Sequence, residues 1–199
     1  MHPSAPATDF SPFVRPVRAA FVGLGRIYDL NMRAYVDNDD VEVVAIVDPS
    51  EVRRAQRQLD WPDARAFASI GDLAASDVAV DCVEVLVPII LHEEVASQCL
   101  SHGWHVNLQK PMANDLASAE RMVAAARASG RQLRVMENYL FYEPLGKLKQ
   151  VVDSGELGPI SGYHLKMVAS GRGGWDVPSD TYERQFEQAG RGRGGPHLR

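Results

Sequence analysis

Val17-Arg-Ala-Ala-Phe-Val-Gly23-Leu-Gly25-Arg26-Ile27 decides the reading of this chain. An apolar run is followed by two glycines one residue apart and then by a helix-compatible stretch. Glycine at both positions lets the backbone turn sharply and come close to a ligand with no Cβ in the way. The N–H groups beyond the turn, with the helix dipole behind them, favour a diphosphate. Such a turn is unspecific alone, because strand-to-helix connections use glycine for structural reasons too. Its weight comes from Asp48, which closes the next apolar run, Val41-Glu-Val-Val-Ala-Ile-Val47. A strand, a Gly-x-Gly turn, a helix and a second strand ending in an acid about 20 residues on form the dinucleotide fingerprint. The carboxylate is expected to accept from the adenosine ribose hydroxyls and to repel a 2′-phosphate, which favours NAD over NADP. Tyr28 breaks the pattern, standing where a glycine or alanine normally lets the helix pack closely on the strand. A tyrosine there is expected to point aside or to hold the helix off.

Around this core the bulk properties narrow the choices. The 199 residues suffice for one good core and part of a second. A net charge of −5 argues against non-specific nucleic-acid binding, which needs a basic face. No apolar run approaches the roughly 20 residues of a membrane span. The first sixteen residues carry four prolines and lack the basic-then-apolar order of a signal peptide, so they read as a flexible tail on a cytoplasmic protein. Cys82 and Cys99 have no spacing suited to a metal or disulfide and read as buried small hydrophobes, so no metal site is expected.

Strand and helix signals then alternate. A helix is expected over 27–36, the second strand over Val41–Val47, and a helix opened by Pro49. A third strand covers 64–68 and a brief helix starts at Ser69. A fourth strand over 80–87 is apolar nearly throughout, as for a parallel strand covered on both faces. Leu91, Val95 and Cys99 mark one face of the next helix, which Gly103 ends. A fifth strand spans 104–108. A helix over 117–129 turns Leu116, Met122, Val123 and Ala126 inward before Gly130, and a sixth strand covers 133–137. Six strands with intervening helices specify an α/β, doubly wound parallel sheet with right-handed crossovers, a Rossmann arrangement over 17–137. Ligands bind beyond the carboxyl ends of such strands, which selects 23–27, Asp48, 88–92 and 109–111.

After Glu137 the character changes. A helix over 144–152 and an alternating strand over 160–169 read as the incomplete start of a second α+β domain, 138–199. Lys110, after the fifth strand and backed by Pro111, is placed to bond a substrate hydroxyl as an alcohol becomes a carbonyl. The plainer alternative is a solvated loop lysine.

In their order, Gly23-Leu-Gly25-Arg26-Ile27, Asp48, Pro88-Ile-Ile-Leu-His92, Gln109-Lys110-Pro111 and Glu137-Asn138-Tyr139 resemble the glucose–fructose oxidoreductase / inositol dehydrogenase / MocA (Gfo/Idh/MocA) family over residues 17 to 190. The resemblance implies an NAD(P)-dependent oxidoreductase moving a hydride between nicotinamide and a sugar-like or polyol alcohol/ketone. It makes Lys110 the catalytic lysine and sets Pro88 and His92 near the nicotinamide. Gln109 stands in place of the family's usual glutamate. The expected cofactor-binding set is therefore Gly23, Gly25, Arg26, Ile27, Asp48, Pro88, His92, Gln109 and Lys110. The family's later Asp and His, after a Gly-rich segment, are not matched where this sequence has Gly190 to Arg199, and His197 lacks matching neighbours. The rival reading is a non-catalytic dinucleotide-binding remnant or partner subunit. Residues beyond about 169 are expected to be poorly protected in hydrogen exchange unless a second copy or a partner chain covers them.

Overall fold

The computed structural model describes residues 14–137, 139 and 142–166. Six strands make one parallel sheet: β1 (Val17–Val22), β2 (Val41–Val47), β3 (Arg65–Phe67), β4 (Cys82–Val85), β5 (His105–Gln109) and β6 (Leu133–Met136). Their spatial order is β3-β2-β1-β4-β5-β6, so the chain reverses direction across the sheet between β1 and β4. Every pairing is parallel, with one register shift against β2 at Ala19/Ala20. The doubly wound α/β sheet expected from the alternation is therefore the architecture observed.

Two apolar layers sandwich it. On one face Ala20, Val22, Val83, Val85, Val106 and Leu108 meet α3 (Ile70–Ala74), α4 (His92–Ser101) and α5 (Leu116–Ser129). On the other, Phe21, Val43 and Ile46 pack with Leu24 and Tyr28 from the turn and α1 (Tyr28–Asn31). α2 (Glu51–Arg57) precedes β3, and α6 (Glu143–Asp153) follows β6. Helix starts follow side-chain caps: Ser50, Ser69 and Asp115 accept from Arg53, Asp72 and Ser118 N–H groups. Gly103 (φ +82°) and Gly130 (φ +65°) end α4 and α5 in the left-handed conformation that glycine tolerates best.

Several expectations need correction. The first helix does not run over 27–36: α1 has four residues and passes into a 3-10 turn, Met32–Ala34. The Asn31 side chain donates to Ile27 O at 2.8 Å, a local bond that competes with regular helix propagation. Pro49 does not open α2; it precedes the Ser50 cap. On α4 the fully buried residues are His92, Ala96, Cys99 and Leu100, while Leu91 is exposed. Leu116 and Val123 on α5 are exposed rather than inward, whereas Met122 and Ala126 are buried as expected. The alternating stretch from 160 forms no strand through 166, and every residue there is exposed; 167–169 lie outside the described residues. A strand needs a neighbour to take its ladder bonds, and none lies beside it among the described residues. Residues 1–13 of the expected sixteen-residue tail and His197 also lie outside them. Arg15, placed in that tail, is instead tied to Asp81 by paired bonds of 2.7 and 2.8 Å. Among the described residues, no helix is long and apolar enough to cross a membrane.

Candidate functional site

The carboxyl edge of the sheet gathers the sequence-selected residues. Asp48 follows β2, Gly23 follows β1, Pro88 follows β4 and Lys110 follows β5, on four strands adjacent in space. Three strand spacings of about 4.8 Å separate the Asp48 strand from the Lys110 strand, about 14 Å in all. The β1 turn lies between them, beside the point where strand order reverses, which is where open α/β sheets hold their ligands.

Gly23 is irreplaceable on geometric grounds. Its φ is +92°, and a Cβ there would stand 2.8 Å from Leu86 C and 2.9 Å from Leu86 O and Val87 N. Its N–H donates to Val47 O at 2.9 Å, locking the turn to β2. Gly25 differs: a Cβ on it would meet nothing within 4 Å, so its outer face is open. The two glycines divide the work: one makes the turn and the other leaves room above it. Arg26 is exposed and Ile27 half-buried at the start of α1. This open cradle fits a dinucleotide's diphosphate.

Asp48 behaves differently from expectation. Only 3% exposed, it turns inward, Oδ2 accepting from Leu24 N–H at 2.9 Å and Oδ1 from Ser50 N–H at 2.8 Å. Its first action is to staple the glycine turn to the start of α2. Arg53 Nη1 lies 3.6 Å from Oδ2 with its side chain 56% exposed. Arg53, on the helix that follows Asp48, thus sets a cation beside the carboxylate.

Tyr28 does not point aside but turns into the protein. It is fully buried, edge-on to Phe21 at 5.2 Å and 74°. Its hydroxyl donates to Asp60 Oδ2 at 3.0 Å and accepts from Trp61 Nε1 at 2.7 Å. The Arg57 guanidinium lies 4.8 Å over its ring. Burial first, then the Asp60 carboxylate, push the phenol well above its ordinary value, so it keeps its proton. The ring occupies space that the fingerprint's third glycine would surrender to a closer helix.

On the Lys110 side, Gln109 Oε1 accepts from Lys110 N–H at 2.9 Å. Lys110 is exposed, as is Pro88. The Lys110–Pro111 peptide bond is cis. His92 is 1% exposed and faces the protein rather than the open edge. Its Nδ1 lies 3.1 Å from Pro111 O and 3.2 Å from Met112 O, and Nε2 lies 3.0 Å from Val87 O.

Sequence reasoning missed Glu84, which is 2% exposed within β4. Tyr35 Oη and Asn107 Nδ2 donate to its Oε2 at 2.6 and 2.7 Å. Burial raises its carboxyl above the ordinary range, and these two donors oppose the rise. A charge inside a stretch read as apolar was the available signal. Cys99 is buried and Cys82 half-buried, and burial pushes their thiols to about 12 and about 11.

A six-stranded parallel sheet in this order, with a Gly-x-Gly turn at its switch point, defines a Rossmann-type nucleotide-binding fold. Residues 17–137 match the Gfo/Idh/MocA family, described as an oxidoreductase family with an NAD-binding Rossmann fold, and the chain belongs to it. It is similar to scyllo-inositol 2-dehydrogenase (NADP(+)) IolU of Bacillus subtilis, 31% identical over 134 residues, which are 67% of this chain and 40% of that protein. It is 30% identical over 148 residues to 1-carboxy-3-chloro-3,4-dihydroxycyclo hexa-1,5-diene dehydrogenase of Comamonas testosteroni, covering 74% of this chain and 37% of the relative. Among solved structures it resembles the WlbA dehydrogenase of Bordetella pertussis in complex with NADH and UDP-GlcNAcA. That match has a TM-score of 0.69 and 29% identity, over 73% of this chain and 42% of that one. The match thus spans about two-fifths of the length of these relatives.

Proposed function

We propose that this chain is the cofactor-binding portion of an NAD(P)-dependent oxidoreductase acting on a sugar-like or polyol alcohol/ketone pair. The observation that carries the reading is the placement of Lys110 two strands from the Gly23 turn, on the same edge and beside the switch point. When bound, the nicotinamide supplies or accepts the hydride. Gly23 and Gly25 shape the cradle for the diphosphate, with Arg26 and Ile27 continuing it. Pro88 borders the nicotinamide end. Lys110 holds the substrate hydroxyl oxygen and moves its proton, and Gln109 fixes the lysine's backbone. The nature of the relatives' substrates supports a polyol or sugar, since the names above include an inositol dehydrogenase and a complex with a nucleotide sugar.

For the cofactor, we read NAD as preferred over NADP. The Asp48 carboxylate places negative charge at the end of β2, where the adenosine ribose would lie. Of a carboxylate's about four lone-pair sites, those not used by Leu24 and Ser50 remain for ribose hydroxyls. Arg53 moderates this preference by lying 3.6 Å from the same carboxylate. Relatives of both kinds exist, one named for NADP(+) and one solved with NADH.

Fluorescence titration with NADH and NADPH tests the cofactor reading. Tighter NADH binding is expected, and Arg53→Ala should weaken NADPH more than NADH; a tighter NADPH complex in the unmodified chain overturns it. For the chemistry, Lys110→Ala should remove about 10²–10⁴-fold of any polyol turnover while NADH binding largely survives. The rival is a dinucleotide-binding subunit without its own substrate wall. It is favoured by the full exposure of 142–166, and NADH binding with no turnover across a polyol panel would select it.

A further inference from the structure

We infer that His92 is a positioning residue for Lys110, acting through the loop after β5 rather than on the cofactor. The inference rests on the reading of Lys110 given above. The imidazole lies between two loops of the ligand edge that follow neighbouring strands. Nδ1 faces the carbonyls of Pro111 and Met112, at 3.1 and 3.2 Å, and Nε2 faces that of Val87, at 3.0 Å. Pro111 is bonded to Lys110, and Val87 immediately precedes Pro88. One ring thus touches both halves of the site while remaining 1% exposed.

The chemistry of these contacts makes the ring more than filler. Residues 110–115 form no regular structure, so no strand ladder or helix supplies donors for the Pro111 and Met112 carbonyls. With the ring's proton on Nδ1, a single N–H shared between the two converging carbonyls serves both. A phenyl ring would fill the same volume and serve neither. The ring's own frame is fixed from below, because His92 opens α4 and the buried Ala96 and Cys99 of that helix pack on the sheet. The loop is therefore referred to a rigid helix, and the reactive lysine takes its backbone position from that reference. Misplacing a reacting group by 1 Å costs about 10²-fold in rate, so a side chain that never meets substrate can still govern turnover.

The two nitrogens can be tested separately. The amide nitrogen of asparagine falls near Nδ1, and that of glutamine near Nε2. Amide hydrogen exchange followed by NMR at Lys110, Met112 and Ala113 reads the loop, with Val106 and Leu108 of β5 as internal controls. His92→Phe and His92→Gln should speed exchange in the loop about tenfold or more with the β5 amides unchanged. His92→Asn should keep the loop within about threefold of the parent. NADH affinity should stay within about threefold in all three, separating loop position from cofactor binding. Equal loop exchange in the Asn and Gln variants, or an unchanged loop in His92→Phe, overturns the inference. Faster exchange in β5 along with the loop also overturns it, because His92 would then serve only general packing. Lys110→Ala measured alongside keeps the two readings apart. If it leaves turnover intact, the role of Lys110 fails, while the loop exchange still decides the role of His92.

Discussion

Restoring the fingerprint glycine at Tyr28 should damage this protein rather than improve it. Tyr28→Gly removes a fully buried ring packed edge-on against Phe21. Truncating a buried aromatic costs about 3–5 kcal/mol through lost transfer energy and the cavity left behind. Glycine inside α1 adds up to about 1 kcal/mol of backbone entropy. The Trp61 indole N–H loses its acceptor, and the Arg57 guanidinium loses the ring 4.8 Å beneath it, a contact worth about 0.5–1 kcal/mol where partly solvated. The expected loss is about 4–6 kcal/mol, a large fraction of the 5–15 kcal/mol that stabilises a typical domain. With a urea slope of about 2 kcal/mol per molar, the midpoint should fall by about 2–3 M, measured by far-UV circular dichroism. Tyr28→Phe separates the ring from its hydroxyl and should cost only about 1–2 kcal/mol. If Tyr28→Gly unfolds at the parent's urea concentration, or binds NADH more tightly, the reasoning fails, and the tyrosine merely fills space that the helix could close.

Further substitutions test other parts of the structure. Gly23→Ala should destabilise by at least about 1–3 kcal/mol and abolish NADH binding, because its φ of +92° and the Leu86 backbone 2.8 Å away leave no room for a Cβ. Gly25→Ala should leave the urea midpoint unchanged yet weaken NADH at least about tenfold, since its Cβ enters only the open space above the turn. Burial raises the Glu84 carboxyl, so the folded state holds that proton more tightly and stability falls as pH rises from the ordinary carboxyl range through the raised one. Glu84→Gln should flatten that decline and be the more stable form at pH 8; an unchanged pH profile would count against it. Asp81 has the opposite sign: bonds from Arg15 and Arg18 lower its carboxyl, so its stability is present above the ordinary range and lost as pH falls through the lowered one. Asp81→Asn should therefore be less stable near neutrality, with the difference shrinking toward acid.

The sheet was legible because parallel strands covered on both faces must be apolar for most of their length. β2 was read to the residue, and Gly103 and Gly130 ended their helices as expected. Several of the departures share a cause, polar atoms satisfied inside the protein. Hydropathy placed Leu91 on the inner face of α4, whereas His92 occupies it because three backbone carbonyls meet its ring. Glu84 sits in a strand that looked apolar nearly throughout, since Tyr35 and Asn107 reach it from elsewhere in the chain. Asp48, expected at the ribose, also accepts from two backbone amides, which its place in the sequence did not indicate. Most of these pairings join residues about 20 to 50 apart in the chain, beyond the reach of a local pattern, although Ser50 and Val87 reach Asp48 and His92 from nearby.

After β6 the expected helix is observed as α6, while the expected strand from 160 is not formed through 166. α6 carries Leu145, Leu148, Val151 and Val152, spaced as one helical stripe and 38–55% exposed. A helix of eleven residues gains too little from its own hydrogen bonds to persist alone in water, so its stability must come from burying that stripe. The stretch from 160 has the same need, because Tyr163 and Leu165 alternate toward a face that nothing covers among the described residues. On the sheet, the side bearing Phe21 is closed by α1 and Trp61 over β1 and β2, but Arg134 on the β6 edge is exposed. The glycine turn, Asp48 and Lys110 all lie within residues 17–137, and the strands that carry them, β1, β2 and β5, are packed there. The α6 stripe and the stretch from 160 have no such cover among the described residues.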